Sequence, residues 1–96
     1  MSGVEQKFSG RGLKRDGTLY WGPDVALELI TEAERRGVRI LGLDAFLIRP
    51  AESAPILEHS VDFSSRPIDV GSWGEARTHV STRAGLGLQF EVALDE

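Results

Sequence analysis

Residues 37–64 read GVRILGLDAFLIRPAESAPILEHSVDFS, and their pattern decides the fold class. From Val38 to Ile48 the chain is apolar on alternate residues of both parities. In an extended strand, Val38, Ile40 and Phe46 share one face, and Leu41, Leu43, Ala45 and Leu47 share the other. Apolar residues on both faces describe a strand covered on both sides, or an edge hidden by something else. Gly42 inside it marks a bulge or a close backbone approach. Arg49 to Ile56, with Pro50 and Pro55, reads as a loop. Glu58 to Ser64 then alternates cleanly: His59, Val61 and Phe63 point one way, and Glu58, Ser60, Asp62 and Ser64 point to water.

Upstream, Pro23 to Arg36 reads as the first helix. Pro23 suits the first helical position, where a missing N–H is harmless. Asp24 in the first turn and Arg35 and Arg36 in the last complement the helix dipole. Val25, Ala26, Leu29, Ile30 and Ala33 form one stripe at helical spacing, and Gly37 supplies a left-handed stop. Downstream, Ser72-Trp73-Gly74-Glu75 has the form of a capping box opening a second helix. That helix carries Trp73, Ala76, Val80 and Ala84 as its stripe and ends at Gly85. Leu86 to Leu94 is the last strand, with Leu86, Leu88, Phe90, Val92 and Leu94 facing inward. Before the first helix the signal is weak. Thr18 to Trp21 reads as a short extended piece, and Val4, Phe8 and Leu13 as a short strand or contacts of a loose arm over residues 1–11.

The element order is therefore (β)αββαβ in one domain spanning residues 1–96. The expected fold is α+β, with two helices on one face of a three- to four-stranded sheet. With a real first strand this order is that of the ferredoxin-like split βαβ. That fold usually places its second strand at an edge, whereas here the second strand is the most apolar. Either the sheet order differs or a partner covers the edge, which would make a homodimer through the second strand.

The chain has 96 residues, 41% of them hydrophobic and 27% charged, with a formal net charge of −4. A chain this size buries about 60–65% of its unfolded surface, enough for one two-layer core but little for a deep cleft. Arginine outnumbers lysine nine to two, yet no basic stripe appears. Nucleic-acid binding is therefore disfavoured, because phosphate neutralisation supplies most of that affinity. A basic partner suits the chain better. With no cysteine, disulfides, thiolate catalysis and cysteine-ligated zinc are excluded. The first residues, MSGVEQKFSG, contain no apolar secretory segment, and nothing approaches a membrane span, so the expected compartment is the cytoplasm.

Chemistry-bearing residues are scattered. His59 and Asp62 fall on opposite faces of one strand, and His79 lies elsewhere, so no metal site is expected. No nucleophile elbow, paired carboxylates or phosphate loop stands out, and Gly10-Arg11-Gly12 lacks the phosphate-loop pattern. No cofactor and no enzymatic activity are expected. Trp21 and Trp73 are either core anchors or contact residues. Asp44, between Leu43 and Ala45, must be hydrogen-bonded, sit at the rim of the sheet, or serve recognition.

Four pieces then form a pattern: Gly12-Leu13; Tyr20-Trp21; Asp24-Val25-Ala26-Leu27-Glu28-Leu29-Ile30; and Ile40-Leu41-Gly42-Leu43-Asp44-Ala45-Phe46. Together they resemble small immunity proteins of bacterial polymorphic toxin systems. In those proteins a "GL" and an aromatic precede a helix beginning "DAL", and a strand reading "LGGD" plus an aromatic follows. The match covers residues 12–46. Leu43 replaces the second glycine, and the later tryptophan sits at a helix start. The resemblance implies a binder that blocks the active site or the substrate access of one cognate toxin domain, one with a basic cleft. The alternation of the last two strands adds an expected acidic patch of Asp44, Glu58, Asp62 and Glu91 to steer association with such a cleft, with Trp21 as a further candidate contact. The rival expectation is a small-molecule-binding regulatory module of ferredoxin-like shape, acting as a homodimer.

Overall fold

The structure, a computed structural model, describes residues 3–96. Its elements are α1 (Gly3–Phe8), β1 (Leu13–Arg15), β2 (Thr18–Tyr20), α2 (Pro23–Arg36), β3 (Arg39–Ile48), β4 (Ser53–Pro55), β5 (Val61–Asp62), α3 (Trp73–Thr82) and β6 (Gln89–Asp95). The fold is α+β. A four-stranded antiparallel sheet is joined by the β1–β2 hairpin, and helices pack on one face.

β3 is central. It pairs along its length with β6, and its other side is shared by β5 near its start and β4 near its end. β2 continues the sheet beyond β6 through one bridge, in which Trp21 and Phe90 exchange backbone hydrogen bonds of 2.8 Å. The ferredoxin-like order is therefore not the one adopted: the strands that follow the two helices, β3 and β6, hold the centre. This resolves the apolar second strand. It is paired at both edges, so it offers no free edge for a homodimer; one face is buried against the helices, while Asp44 on the other is exposed.

The core lies between α2, α3 and one face of β3 and β6. Ala26, Leu29, Ile30 and Ala33 of α2 and Ala76 and Val80 of α3 meet Ile40, Leu43, Ala45, Phe90 and Val92. The first helix and its stop follow the sequence reading, since α2 ends at Gly37 in the left-handed conformation (φ 69°). The register of β3 against β6 shifts between Ile40 and Gly42. This bulge turns Ile40 to the same side as Leu43 and Ala45, a change of face that strict alternation misses. Gly42 is also a close-approach position: a Cβ there would lie 2.9 Å from the Val61 carbonyl oxygen.

The alternating segment is not one strand. Ser53–Pro55, read as loop, pairs with β3, with Pro55 opposite Phe46 at the sheet's edge. The chain then leaves the ladder through a 3-10 turn, Leu57–His59, and returns at Val61. Ser60 closes the gap: its hydroxyl accepts the Ala45 N–H at 2.9 Å and donates to the Ile56 carbonyl at 2.9 Å. Side-chain chemistry thus replaces a missing strand residue, which is why periodicity alone misreads the segment.

Two further readings change. The capping box does not form. Ser72 sits in the left-handed region without a side-chain cap, because Arg66 takes both of its members, bonding the Ser72 hydroxyl at 3.4 Å and the Glu75 carboxylate at 2.8 Å. α3 ends at Thr82 and a 3-10 turn, Ala84–Leu86, follows, leaving Ala84 and Leu86 exposed. Of the arm considered over residues 1–11, residues 1 and 2 lie outside the described ones. Residues 3–8 are helical, with Val4 and Phe8 one turn apart and both buried. Glu96 accepts the Gly3 N–H at 3.0 Å, tying the helix start to the far end of the chain.

Candidate functional site

The face of the sheet away from the helices carries the most unusual chemistry of the molecule. Strand alternation places Asp44, Gly42 and Phe46 there from β3, and Glu91, Ala93 and Gln89 from β6. Register pairs Asp44 directly with Glu91 and Gly42 with both Ala93 and Asp62. Two carboxylates therefore stand side by side, with a third two residues along the same face. Among the described residues no ion pair engages Asp44, Glu91 or Asp62, although eight such pairs occur elsewhere. At the other end of this face Tyr20 lies edge-on to Phe46, ring centroids 4.9 Å apart. The acids thus stand beyond an aromatic lid, over a floor of two small residues, Gly42 and Ala93. A shallow groove of about 280 Å³ runs between Asp44 and Asp62 across this floor.

Electrostatics separates the three acids. Burial, then Asp44, then Glu5 push the Glu91 carboxyl above its ordinary value. Hydrogen bonds from Ser64, its backbone N–H at 2.8 Å among them, hold Asp62 below the ordinary range. Asp44 is exposed. The face therefore presents two neighbouring acids, of which Glu91 lacks its normal solvation.

Of the residues expected to form the contact surface, Asp44, Asp62 and Glu91 come together here. Glu58 is exposed on the Leu57–His59 turn, outside the ladder. Trp21 is corrected: it is 0% exposed and packs in the core, where a Cβ on Gly12 would stand 2.6 Å from its ring. A ring so enclosed cannot touch a partner. Trp73 is half-buried and donates its indole N–H to the Val38 carbonyl at 2.8 Å.

The histidines are absorbed by the fold. His79 Nε2 meets the His59 carbonyl oxygen at 2.5 Å, and Arg83 Nε donates to His59 Nδ1 at 3.3 Å. Among the described residues no group of three histidines, cysteines, aspartates or glutamates could hold a metal ion. No described helix is long and apolar enough to cross a membrane.

One buried acid escaped the sequence reading. Glu32 is 7% exposed and is held by Lys7 at 3.1 Å, by Arg36 at 2.6 Å and by Arg35. Hydrogen bonds from Arg35, then Arg36, then Lys7 keep its carboxyl well below the carboxylate range. Its signal was present, since Arg35 and Arg36 follow at helical contact spacing. The reach of Lys7 from α1 was not visible. This cluster clamps α1 onto α2.

Compared with known proteins, the chain matches no family model and no curated protein.

Proposed function

We propose that this chain is an immunity protein that binds a cognate bacterial toxin domain one to one and neutralises it by occluding the active site. The observation that carries the reading is Asp44 facing Glu91 on the open side of the sheet. Like charges directly opposite across a strand pair destabilise a sheet, by about 0.2–1 kcal/mol. The free chain keeps this repulsion without a compensating cation among its described residues, although it deploys arginines freely elsewhere. A lysine or arginine from a partner removes the repulsion on docking, so the stability withheld from the fold is returned to the complex. The same charges attract a basic cleft at long range and raise the association rate.

The resemblance of residues 12–46 to small immunity proteins supports the same reading. Its most distinctive piece, Ile40 to Phe46, lies within β3 and contains Asp44. On this account the chain acts in the cytoplasm of the producing cell, beside the toxin's target. The test is co-expression with the C-terminal domain of the protein encoded next to it. The expected result is rescue of growth and a one-to-one complex that survives size-exclusion chromatography. Absence of both overturns the reading.

A further inference from the structure

Two half-buried histidines and an arginine meet where the Leu57–His59 turn packs on the end of α3. Both contacts fall on His59. Its carbonyl oxygen accepts the Nε2–H of His79 at 2.5 Å, and its Nδ1 accepts the Nε–H of Arg83 at 3.3 Å. A guanidinium N–H can only donate, so His59 Nδ1 offers a lone pair and the ring is neutral, with its proton on Nε2. Arg83 is itself anchored, since it bonds the His79 carbonyl at 3.1 Å and the Thr82 hydroxyl at 3.0 Å. Among the described residues no ion pair engages His59, His79 or Arg83. The acids on the elements around the junction are held elsewhere or exposed. Glu75 of α3 binds Arg66, Glu34 of α2 binds Arg77, and Asp62 of β5 accepts the Ser64 N–H. Glu58 is exposed on the turn itself, and Asp44 and Glu91 stand on the outer face of the sheet. From the inner face β6 offers the uncharged Phe90 ring, 6.3 Å from that of His79.

We infer that this junction is an acid-sensitive latch: with both histidines neutral it holds the Leu57–His59 turn on α3, and proton uptake in weak acid releases the turn. The latch is independent of any bound partner. Protonating His59 replaces its lone pair with an N–H aimed at the N–H of Arg83, so a hydrogen bond becomes a contact between two cations. His79 keeps its bond, because Nε2 donates in either state, but its charge enters a half-buried site that already holds Arg83. Burial, with Arg83 and His59 adding to it against the pull of the His59 carbonyl, holds the His79 imidazole below its ordinary value. A histidine lowered in this way stabilises the closed state above about pH 6.5, and that contribution is lost as pH falls through the folded value. What the latch holds is Ser60, the next residue, whose hydroxyl bridges the Ala45 N–H and the Ile56 carbonyl. Val61 and Asp62 follow and pair with Leu43 and Gly42. Release of the turn therefore loosens the flank of the outer face that carries Asp62, while the core against α2 stays closed. The response belongs to weak acid, where histidine is the side chain that ordinarily changes charge.

The test is amide hydrogen exchange by NMR on the full chain at about pH 7.5 and about pH 5.5, either side of the ordinary histidine range, corrected for the intrinsic pH dependence of exchange. The Ala45 amide, which bonds the Ser60 hydroxyl, is expected to lose protection roughly three- to tenfold at the lower pH, the scale of one linked proton. The Phe90 amide, bonded to the Trp21 carbonyl, is expected to keep its protection. Constant protection at Ala45 overturns the latch. An equal loss at Phe90 makes the response global and overturns it too. The double variant His59→Asn with His79→Gln supplies an independent readout. Its Asn oxygen can still accept from Arg83 and its Gln amide can still donate to the carbonyl of residue 59, and neither titrates. Ala45 protection in this variant is expected to be the same at both pH values. A loss as large as the parent's contradicts the inference. If the double variant does not fold, the comparison of Ala45 with Phe90 in the parent decides alone.

Discussion

The two faces of the β3–β6 pair share one backbone and alternate residue by residue, yet they act on stability in opposite directions. On the inner face Leu43 pairs with Val92 and Ala45 with Phe90, all buried against α2 and α3. On the outer face, one residue along, Asp44 opposes Glu91 and Gly42 opposes Ala93. The inner face holds the molecule together by removing apolar surface from water. The outer face keeps a repulsion that a single neutral substitution would remove. A strand pair under selection for stability alone has no reason to retain it, and the proposed binding role supplies one.

The contrast can be broken from either side. Phe90→Ala on the inner face is expected to cost about 3–5 kcal/mol in chemical denaturation, since it empties a fully buried ring position. A loss below about 1 kcal/mol would mean that the core does not rest on this face. Ser60→Ala is expected to cost about 1–3 kcal/mol, because it leaves the Ala45 N–H without an acceptor at the break between β4 and β5. Faster exchange of the Ala45 amide in this variant would locate the effect.

The smallest effects are the most diagnostic, because two acids should behave oppositely with pH. Glu32 has its folded pKa lowered by three cations, so its contribution is present above the unfolded value of about 4.3 and is lost as pH falls through the folded value. Glu32→Gln should therefore lower the melting temperature at neutral pH and flatten its acid decline. Glu91 has its folded pKa raised, so its ionised form opposes folding at neutral pH and the penalty fades as pH falls toward about 4.3. Glu91→Gln should stabilise the chain at pH 7 by about 0.2–1 kcal/mol, the range for a cross-strand pair, and change little near pH 4. Melting curves of both variants across this range check the signs.

The inner face was legible in the sequence and the outer face only partly so. α2 is read from Pro23 to Gly37 without error, because its stripe, its first-turn proline and its glycine stop all act locally. The core positions Leu43, Ala45, Phe90 and Val92 follow from alternation alone. What the sequence hides is non-local. The bulge at Leu41 changes the face of Ile40, and the Ser60 hydroxyl stands in for a strand. Arg66 removes Ser72 and Glu75 from a capping box that their spacing advertises. Asp44 and Glu91 could each be named as acids on polar faces. That they stand opposite each other depends on the register between strands distant in sequence, which neither strand encodes by itself. The burial of Trp21 likewise depends on β6 arriving beside it.

The central claim, that the outer face is reserved for a basic partner, is tested most directly by one doubly neutral variant. Asp44→Asn with Glu91→Gln should be measured for both thermal stability and its association rate with the neighbour-encoded toxin domain at two salt concentrations. The account expects a variant more stable than the parent that associates more slowly and with weaker salt dependence. A variant that gains stability and associates as fast as the parent, with the same salt dependence, would contradict it.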